Sequence, residues 1–460
     1  MVARWWLLLL GLAADVLQVG GQRAPDTTGF ISIDCGLSEQ SSYVDDLTKL
    51  LLSSDAGFTD AGTNYDVSAR YTNLLYRRFL TVRSFPSSVD GRSCYTLPSA
   101  VPGTSKYMVR AAFKYGDYDG LNKLPIFDLY LGVNLWRTVN ITDAGLVQIA
   151  EAIVVIPEDR VQVCMVNIGS GTPFISTLDL RPLKNSLYPQ ANATQGLSMI
   201  FTGNFGASDV IRYPNDPYDR LWVPWWSVVL WSGVFGHGNF QGDQDGKFEV
   251  PAVVMKTAIT PFNPSDNISC SSQARRFNVG YNNHLSMSNY EPSYLKLGYN
   301  NIEPVQFFNQ YNVTISRAPN STLPPIINAC EFFSTMSTAN VGTNAHDDLP
   351  FSPVLLLLLQ TQCLSASAMI AIKAKYQVKK NWEGDPCSPK TLVWHGLNCS
   401  YPISLPPRIT SVNMSFGGLG GDISSYFAKL KAIQYLDLSH NELTGFIPNE
   451  LSQLHSLVVL

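Results

Sequence analysis

Charge is scarce in this chain: Asp, Glu, Lys and Arg make up 15% of its 460 residues, and the net charge is −4. No basic run occurs, so the electrostatic footprint of a nucleic-acid-binding protein is missing. Histidine is also rare. The six are scattered and none lies in an HExxH, and there is no GxSxG or CxxC. Zincin, serine-hydrolase and zinc-ribbon chemistry therefore have no motif to rest on, and neither a metal nor a cofactor is expected. Asp117 and Asp119 flank Tyr118, but carboxylates two residues apart on one loop suit a turn better than a general acid/base pair. No long, unbroken apolar run is present after the N-terminus. A helical stripe is also missing before Ala366.

What remains is rich in turns. The chain has 33 Gly and 28 Pro, with 11% aromatics. Short alternating runs at Tyr107–Tyr115 and Phe127–Gly132, and β-branched runs at Ala150–Ile156 and Val161–Ile168, indicate packed antiparallel sheets between residues 30 and 345. At the N-terminus, Arg4, the apolar run Trp5–Ala14 and the small residues Val19-Gly20-Gly21 predict a cleaved secretory signal, with Gln22 as the mature start. Seven N-x-S/T acceptors agree with secretion: Asn140, Asn192, Asn267, Asn312, Asn320, Asn398 and Asn413. The eight cysteines then belong to an oxidising compartment. Their best pair is Cys387 with Cys399, which closes a short loop beside Trp382 and Trp394.

The last fifty residues repeat at a spacing of 24. Val412 aligns with Leu436, Leu419 with Leu443, Gly421 with Gly445, Phe427 with Leu451 and Leu430 with Leu454. Apolar residues at matched positions describe a leucine-rich solenoid. Asn441 takes the place where such a repeat uses a side-chain amide to satisfy the backbone of neighbouring turns. Asn413 and Asp437 fall between inward-pointing residues and so face the concave side. The pattern stops at Leu460, at the first core leucine of a third turn.

Several longer stretches bring a family into view. Gly29–Gly36, Cys94–Leu97, Tyr107–Asp119, Phe127–Gly132, Asp216–Trp222 and Leu323–Ala329 occur in the order found in plant malectin-like ectodomains. The chain resembles that family over nearly all of its mature length. Asn381-Trp382 and Gly384–Cys387 look like the cap those proteins place before their leucine-rich repeats. The resemblance implies a mainly β protein with tandem malectin-like β-sandwiches, then repeats, then a membrane span and a cytoplasmic kinase, with full-length relatives in the plasma membrane. No span after the repeats and no kinase motif is found here.

The expected organisation is a signal at 1–21, a first sandwich at 22–187, a second at 188–345, an atypical Leu-rich insert at 346–366, a helix and cap at 367–408, and truncated repeats at 409–460. The second sandwich is expected to be incomplete, because polar sequence from Phe262 to Arg275 stands where the family places an aromatic-rich strand. Residues Leu349–Ile372 carry no charge and admit a second reading as a membrane span. Pro350, Pro353, Gln360 and Gln362 break that reading.

For function, Tyr115, Tyr118 and Asp119, with Tyr65, form a candidate ligand site in which aromatic faces stack on sugar rings and a carboxylate fixes hydroxyls. The competing reading makes these tyrosines packing residues and the Asp-Gly a turn. Trp222, Trp225, Trp226 and Trp231 suit an interdomain wedge better than a binding cage. The expectation is a non-enzymatic extracellular recognition module in the secretory pathway or at the cell surface. It would bind a cell-wall carbohydrate or a peptide, with a co-receptor on the repeats. A carbohydrate-active enzyme and a nonfunctional fragment of a receptor kinase gene are the alternatives.

Overall fold

The computed structural model describes residues 24–72, 76–87, 91–99, 101, 104–156, 160–225, 231–236, 240, 246–261, 274–299, 312–344, 368–378, 382–403 and 405–460. The signal, Asn267, Trp226, most of the polar stretch 262–275 and the insert 346–366 lie outside the described residues. So does most of Leu349–Ile372. Among the described residues no helix is long and apolar enough to cross a membrane.

The first sandwich packs a large sheet against a four-stranded one. From its outer edge the large sheet runs Ser42–Val44, Leu51–Ser54, Ile31–Asp34, Thr177–Leu183, Lys106–Lys114 and Val147–Val155. The facing sheet runs Arg92–Pro98, Arg160–Ser170, Ile126–Leu131 and Asn134–Asn140. Alternation along Lys106–Lys114 sends Tyr107, Val109, Ala111 and Phe113 into the core between the sheets, where they meet Phe127, Leu129, Val163 and Leu180. Cys94 lies directly opposite Cys164 on adjacent strands, and the two are bonded across a Cα–Cα distance of 4.0 Å.

The large sheet does not stop at the first sandwich. Val147–Val155 pairs with Gln195–Phe205 through Ala152 opposite Ser198 and Ile153 opposite Leu197. Gln195–Phe205 in turn pairs with Ala329–Ser337 along nearly its whole length. The expected boundary between residues 187 and 188 therefore sits beside one continuous nine-stranded sheet. Met336, from the return strand Ala329–Ser337, is buried in the core of the first sandwich.

Among the described residues, the rest of the second unit holds the hairpin Trp231–Phe235 with Thr257–Pro261, and a three-stranded sheet of His284–Tyr290, Phe277–Tyr281 and Val313–Arg317. His284–Tyr290 and Val313–Arg317 are exposed at most positions. By contrast, Lys106–Lys114 in the first sandwich is buried at every position.

The helix Ala368–Tyr376 turns Met369 and Ile372 inward against the cap and the first repeat. The cap strand Leu397–Ser400 pairs antiparallel with Arg408–Asn413, which pairs parallel with Tyr435–Asp437. Val412 sits opposite Leu436 and Asn413 opposite Asp437, the alignment expected from the 24-residue period. Gly421 and Gly445 share positive φ values of 83° and 84°, a conformation that favours glycine at both turns. On the other side of each turn the register differs, with Gly421 opposite Leu443.

Candidate functional site

Tyr115, Tyr118, Asp119 and Tyr65 do come together at one end of the first sandwich. The Tyr115 hydroxyl donates to Asp119 Oδ1 at 2.6 Å, and the backbone N–H of Leu121 donates to the same oxygen at 3.1 Å. Tyr118 lies 5.5 Å from the Tyr115 ring, 5.4 Å from the Tyr65 ring and 5.3 Å from the Phe174 ring. Tyr115 is fully buried and Tyr118 nearly so, while Tyr65 is 40% exposed. A sugar stacks on an accessible ring face, so Tyr65 is the member of the group that can offer one. Tyr65 lies on the strand Thr63–Asp66, which is exposed at every position. The loop is tight: Gly116 has φ +51°, and a Cβ there would run into the Val67 side chain.

On the repeats, Asn413 is exposed on the strand Arg408–Asn413, opposite Asp437 of the next turn. Its Oδ1 accepts from the N–H and hydroxyl of Ser415 at 3.0 and 2.8 Å. Asn441 holds adjacent turns together: its Nδ2 donates to the carbonyls of Met414, Leu438 and Ser439, and its Oδ1 accepts from Leu419 N. Phe446 and Ile447 line a shallow depression with Gly445, Pro448 and Asn449. The glycosylation acceptors Asn140, Asn192, Asn312, Asn320, Asn398 and Asn413 are all exposed.

The cap is held shut and held down. Cys387 and Cys399 are bonded, and Trp382 stacks on Trp394 at 5.2 Å with 12° between planes. The Asp385 carboxylate accepts from Thr343 N, Thr343 Oγ1, Cys387 N and Ser388 N, all within 2.5–2.9 Å. Arg92 reaches out of the first sandwich and donates to Ser388 O at 3.0 Å and Asp385 O at 2.6 Å. The repeats are therefore seated on the first sandwich through the cap.

A second joint was not legible in the sequence. The polar face of Lys106–Lys114 does not meet water; it is covered by the segment carrying Asp216–Trp222. Asp219 accepts from Arg110, Arg181 and Arg212 at 2.8–3.2 Å. Asp179 pairs with Arg78 at 2.9 Å and Arg181 at 3.3 Å, and Arg110 also holds Glu151 at 2.6 Å. Burial alone would raise the Asp219 carboxyl, but Arg181, Arg110 and Arg212 overcome it and hold it well below the usual range. Asp179 is held low in the same way, burial being outweighed by Arg78, Arg181 and Arg110. Trp222 is buried within this joint and donates its indole N–H to Asp216 at 2.7 Å. Trp225 packs on Phe205 at 5.1 Å. The only sequence signal of the joint was the Asp216–Trp222 motif, which carries no hint of its partners. Among the described residues, no cluster of His, Cys, Asp and Glu is placed to hold a metal ion.

Two β units sharing one sheet, a disulfide-closed cap and a parallel-strand solenoid define the class: a β-rich protein in which sandwich units are followed by leucine-rich repeats. The chain belongs to the malectin-like family. The malectin-like domain model matches residues 33–273 and 267–335, and a leucine rich repeat model matches 407–460. A protein of Arabidopsis thaliana assigned as a leucine-rich repeat receptor-like serine/threonine-protein kinase is 35% identical over 466 residues, covering 94% of this chain and 50% of that protein. Another leucine-rich repeat receptor-like serine/threonine-protein kinase of the same plant is 33% identical over 444 residues, covering 90% of this chain and 48% of its own length. The chain thus spans about half the length of the curated relatives it matches. The crystal structure of the plant receptor-like kinase FER superposes with a TM-score of 0.50 at 15% identity, covering 67% of this chain and 96% of that one, a likeness of fold.

Proposed function

We propose that this chain is a non-enzymatic extracellular recognition module. It enters the secretory pathway, binds a cell-wall carbohydrate or a peptide through the exposed end of the first sandwich around Tyr65, and offers the concave face of its repeats to a co-receptor. The observation that carries this reading is how the polar groups are used. Asp179, Asp216 and Asp219 are buried and neutralised by arginines, and Asp385 and Asp119 are occupied by internal donors. These groups build a scaffold, and a rigid scaffold with exposed strand edges and loops suits recognition better than turnover. The kinase names of the relatives fit an ectodomain that reports binding to something else.

The test uses the glycosylated secreted chain and a panel of cello-, xylo- and galacturono-oligosaccharides. Calorimetry should detect binding by at least one of them that weakens at least tenfold in Tyr65→Ala, with no new reducing ends formed on prolonged incubation. Release of reducing ends would overturn the non-enzymatic reading. Binding unaffected by Tyr65→Ala, or none by any oligosaccharide, would remove the carbohydrate site.

A further inference from the structure

Tyr188 stands where the first sandwich hands the chain to the second unit, and three separate elements meet on it. Its backbone carbonyl accepts from Lys106 Nζ at 3.0 Å, and the same ammonium reaches the carbonyls of Asn185 and Leu187 at 3.1 and 2.6 Å. Its hydroxyl accepts from Arg220 Nη1 at 3.0 Å and donates to the Glu331 carboxylate at 2.9 Å. Its ring packs on Phe248 at 5.7 Å and on Phe333 at 5.6 Å. Glu331 belongs to the return strand Ala329–Ser337, opposite Thr202. One side chain therefore ties the first sandwich, the Asp216–Trp222 segment and the return strand together.

The arrangement leaves Glu331 in an odd position. Its hydrogen-bond donor is a neutral phenol. The nearest cation, Arg220, is engaged elsewhere, with Nε on Asp216, Nη1 on the Phe248 carbonyl as well as the phenol, and Nη2 on the Glu249 carbonyl. The other groups that face it are acids or are already paired. Asp216 belongs to Arg220, Glu151 on Val147–Val155 is held by Arg110, and Glu249 is held by Lys184 and Tyr218. On its own strand its neighbour Cys330 is partly buried and uncharged. A carboxylate placed like this is easier to keep as the neutral acid, which still accepts from Tyr188.

We propose that Glu331 is a proton-controlled latch on the joint between the two β units: protonated, it lets the return strand close on Tyr188, and ionised, it loosens that contact. The proposal goes beyond ligand recognition and does not depend on it. Glu331 as a residue is half-buried, with its carboxyl turned onto the Tyr188 hydroxyl. Desolvation there is the main cause that pushes the carboxyl from the usual 4.5 up to about 7, with Asp216 and Glu151 adding to the effect and Arg220 and Tyr188 opposing it. Because the folded value lies above the unfolded one, the stabilisation is fully present below about pH 4.5 and is lost as pH rises through about 7. Across that window the closed-to-open equilibrium should change on the order of a hundredfold.

The experiment compares the intact glycosylated chain with Glu331→Gln, which fixes the neutral, hydrogen-bonding form. Hydrogen exchange is read at Ala329–Ser337 and normalised to Ile126–Leu131, a strand of the facing sheet. The wild-type ratio should lose protection by on the order of a hundredfold between pH 5 and pH 7.5, while Glu331→Gln stays protected throughout. Parallel pH profiles in the two proteins would overturn the proposal. Should Glu331→Gln fail to fold, the wild-type ratio decides alone: a constant ratio from pH 5 to 7.5 refutes the latch. Asp34→Asn serves as a control, because the Asp34 carboxyl in the first sandwich is itself pushed up, mainly by burial, to about 6. That variant should leave the Ala329–Ser337 ratio unchanged, and a loss of its pH dependence there would assign the effect to the wrong carboxyl.

Discussion

Replacing Arg92 with methionine tests whether the repeats are seated on the first sandwich. Arg92 is 4% exposed and its guanidinium donates to Ser388 O and Asp385 O of the cap. Hydrogen bonds from a charged donor contribute about 1.5–3 kcal/mol each, so their loss costs roughly 3–6 kcal/mol. Part of that is returned. Burial pulls the Arg92 guanidinium from its usual 12.5 down to about 10 despite the attraction of Asp385 and Glu383, which means that keeping it charged in place costs about 3 kcal/mol. Methionine fills much the same volume without that cost. The net loss should be roughly 2 kcal/mol, about thirtyfold in the docked-to-undocked equilibrium. Hydrogen exchange at Asp385–Ser400 should speed up by that factor, and the first sandwich should keep its melting temperature to within a few degrees. The effect should be flat from pH 5 to pH 9, because the folded value near 10 leaves the side chain charged over that range. Unchanged exchange in the cap would show that the disulfide and the Asp385 turn hold it without the sandwich. Loss of the whole fold would show that Arg92 belongs to the sandwich core instead.

Asp219→Asn should destabilise the joint between the β units by about 3–5 kcal/mol, because Arg110, Arg181 and Arg212 lose a shared buried anion; thermal unfolding reads it. Since Asp219 and Asp179 are held low by those arginines, their stabilisation is present above the usual carboxylate range and lost as pH falls below about 4, the opposite sign to Glu331. Asn441→Ala removes one donated and one accepted bond between turns, to Met414 and Leu419, and two donated bonds within its own turn, and should cost about 2–3 kcal/mol, seen as faster exchange at Tyr435–Thr444 with the sandwich unaffected. Tyr118→Ala should cost about 3–5 kcal/mol of sandwich stability, and Tyr65→Ala about 1 kcal/mol or less; equal losses would mean that the two rings have the same structural role.

What the sequence made legible was local. The repeat period shows because each turn contacts its neighbour 24 residues away, and Val412 pairs with Leu436 accordingly. Cys387 and Cys399 were legible because they close a loop with a separation of 12. Cys94 and Cys164, separated by 70, meet only because of a strand register that no local pattern encodes. The alternation in Lys106–Lys114 correctly gives a strand but suggests one wet face. Arg110 and Lys114 look like its solvent side, and both are buried, because the chain returns 109 residues later to place Asp219 on Arg110. The loop Tyr115–Asp119 has the composition of a sugar site for a related reason. An aromatic beside an acid reads the same whether it faces a ligand or, as with Tyr115 and Asp119, faces its own neighbour.

The topology also sets how the second unit is attached to the first. Its first strand, Gln195–Phe205, and its last, Ala329–Ser337, are paired with each other and added to the sheet of the first sandwich. Met336 sits in that sandwich's core, and Asn340 N donates to Asn134 Oδ1 at 3.1 Å. Everything between Phe205 and Ala329 is therefore an excursion whose two ends are fixed by a structure that precedes it. The entropy of closing such an excursion grows only slowly, by about 0.6 kcal/mol for each doubling of length. Losing or gaining a strand's worth of residues within it changes that cost by a fraction of a kilocalorie per mole. Within the excursion, His284–Tyr290 and Val313–Arg317 are exposed at most positions. Because the second unit is anchored at both ends on the first, its stability should follow the joint residues Tyr188, Asp219 and Glu331 more closely than any contact inside its own sheets.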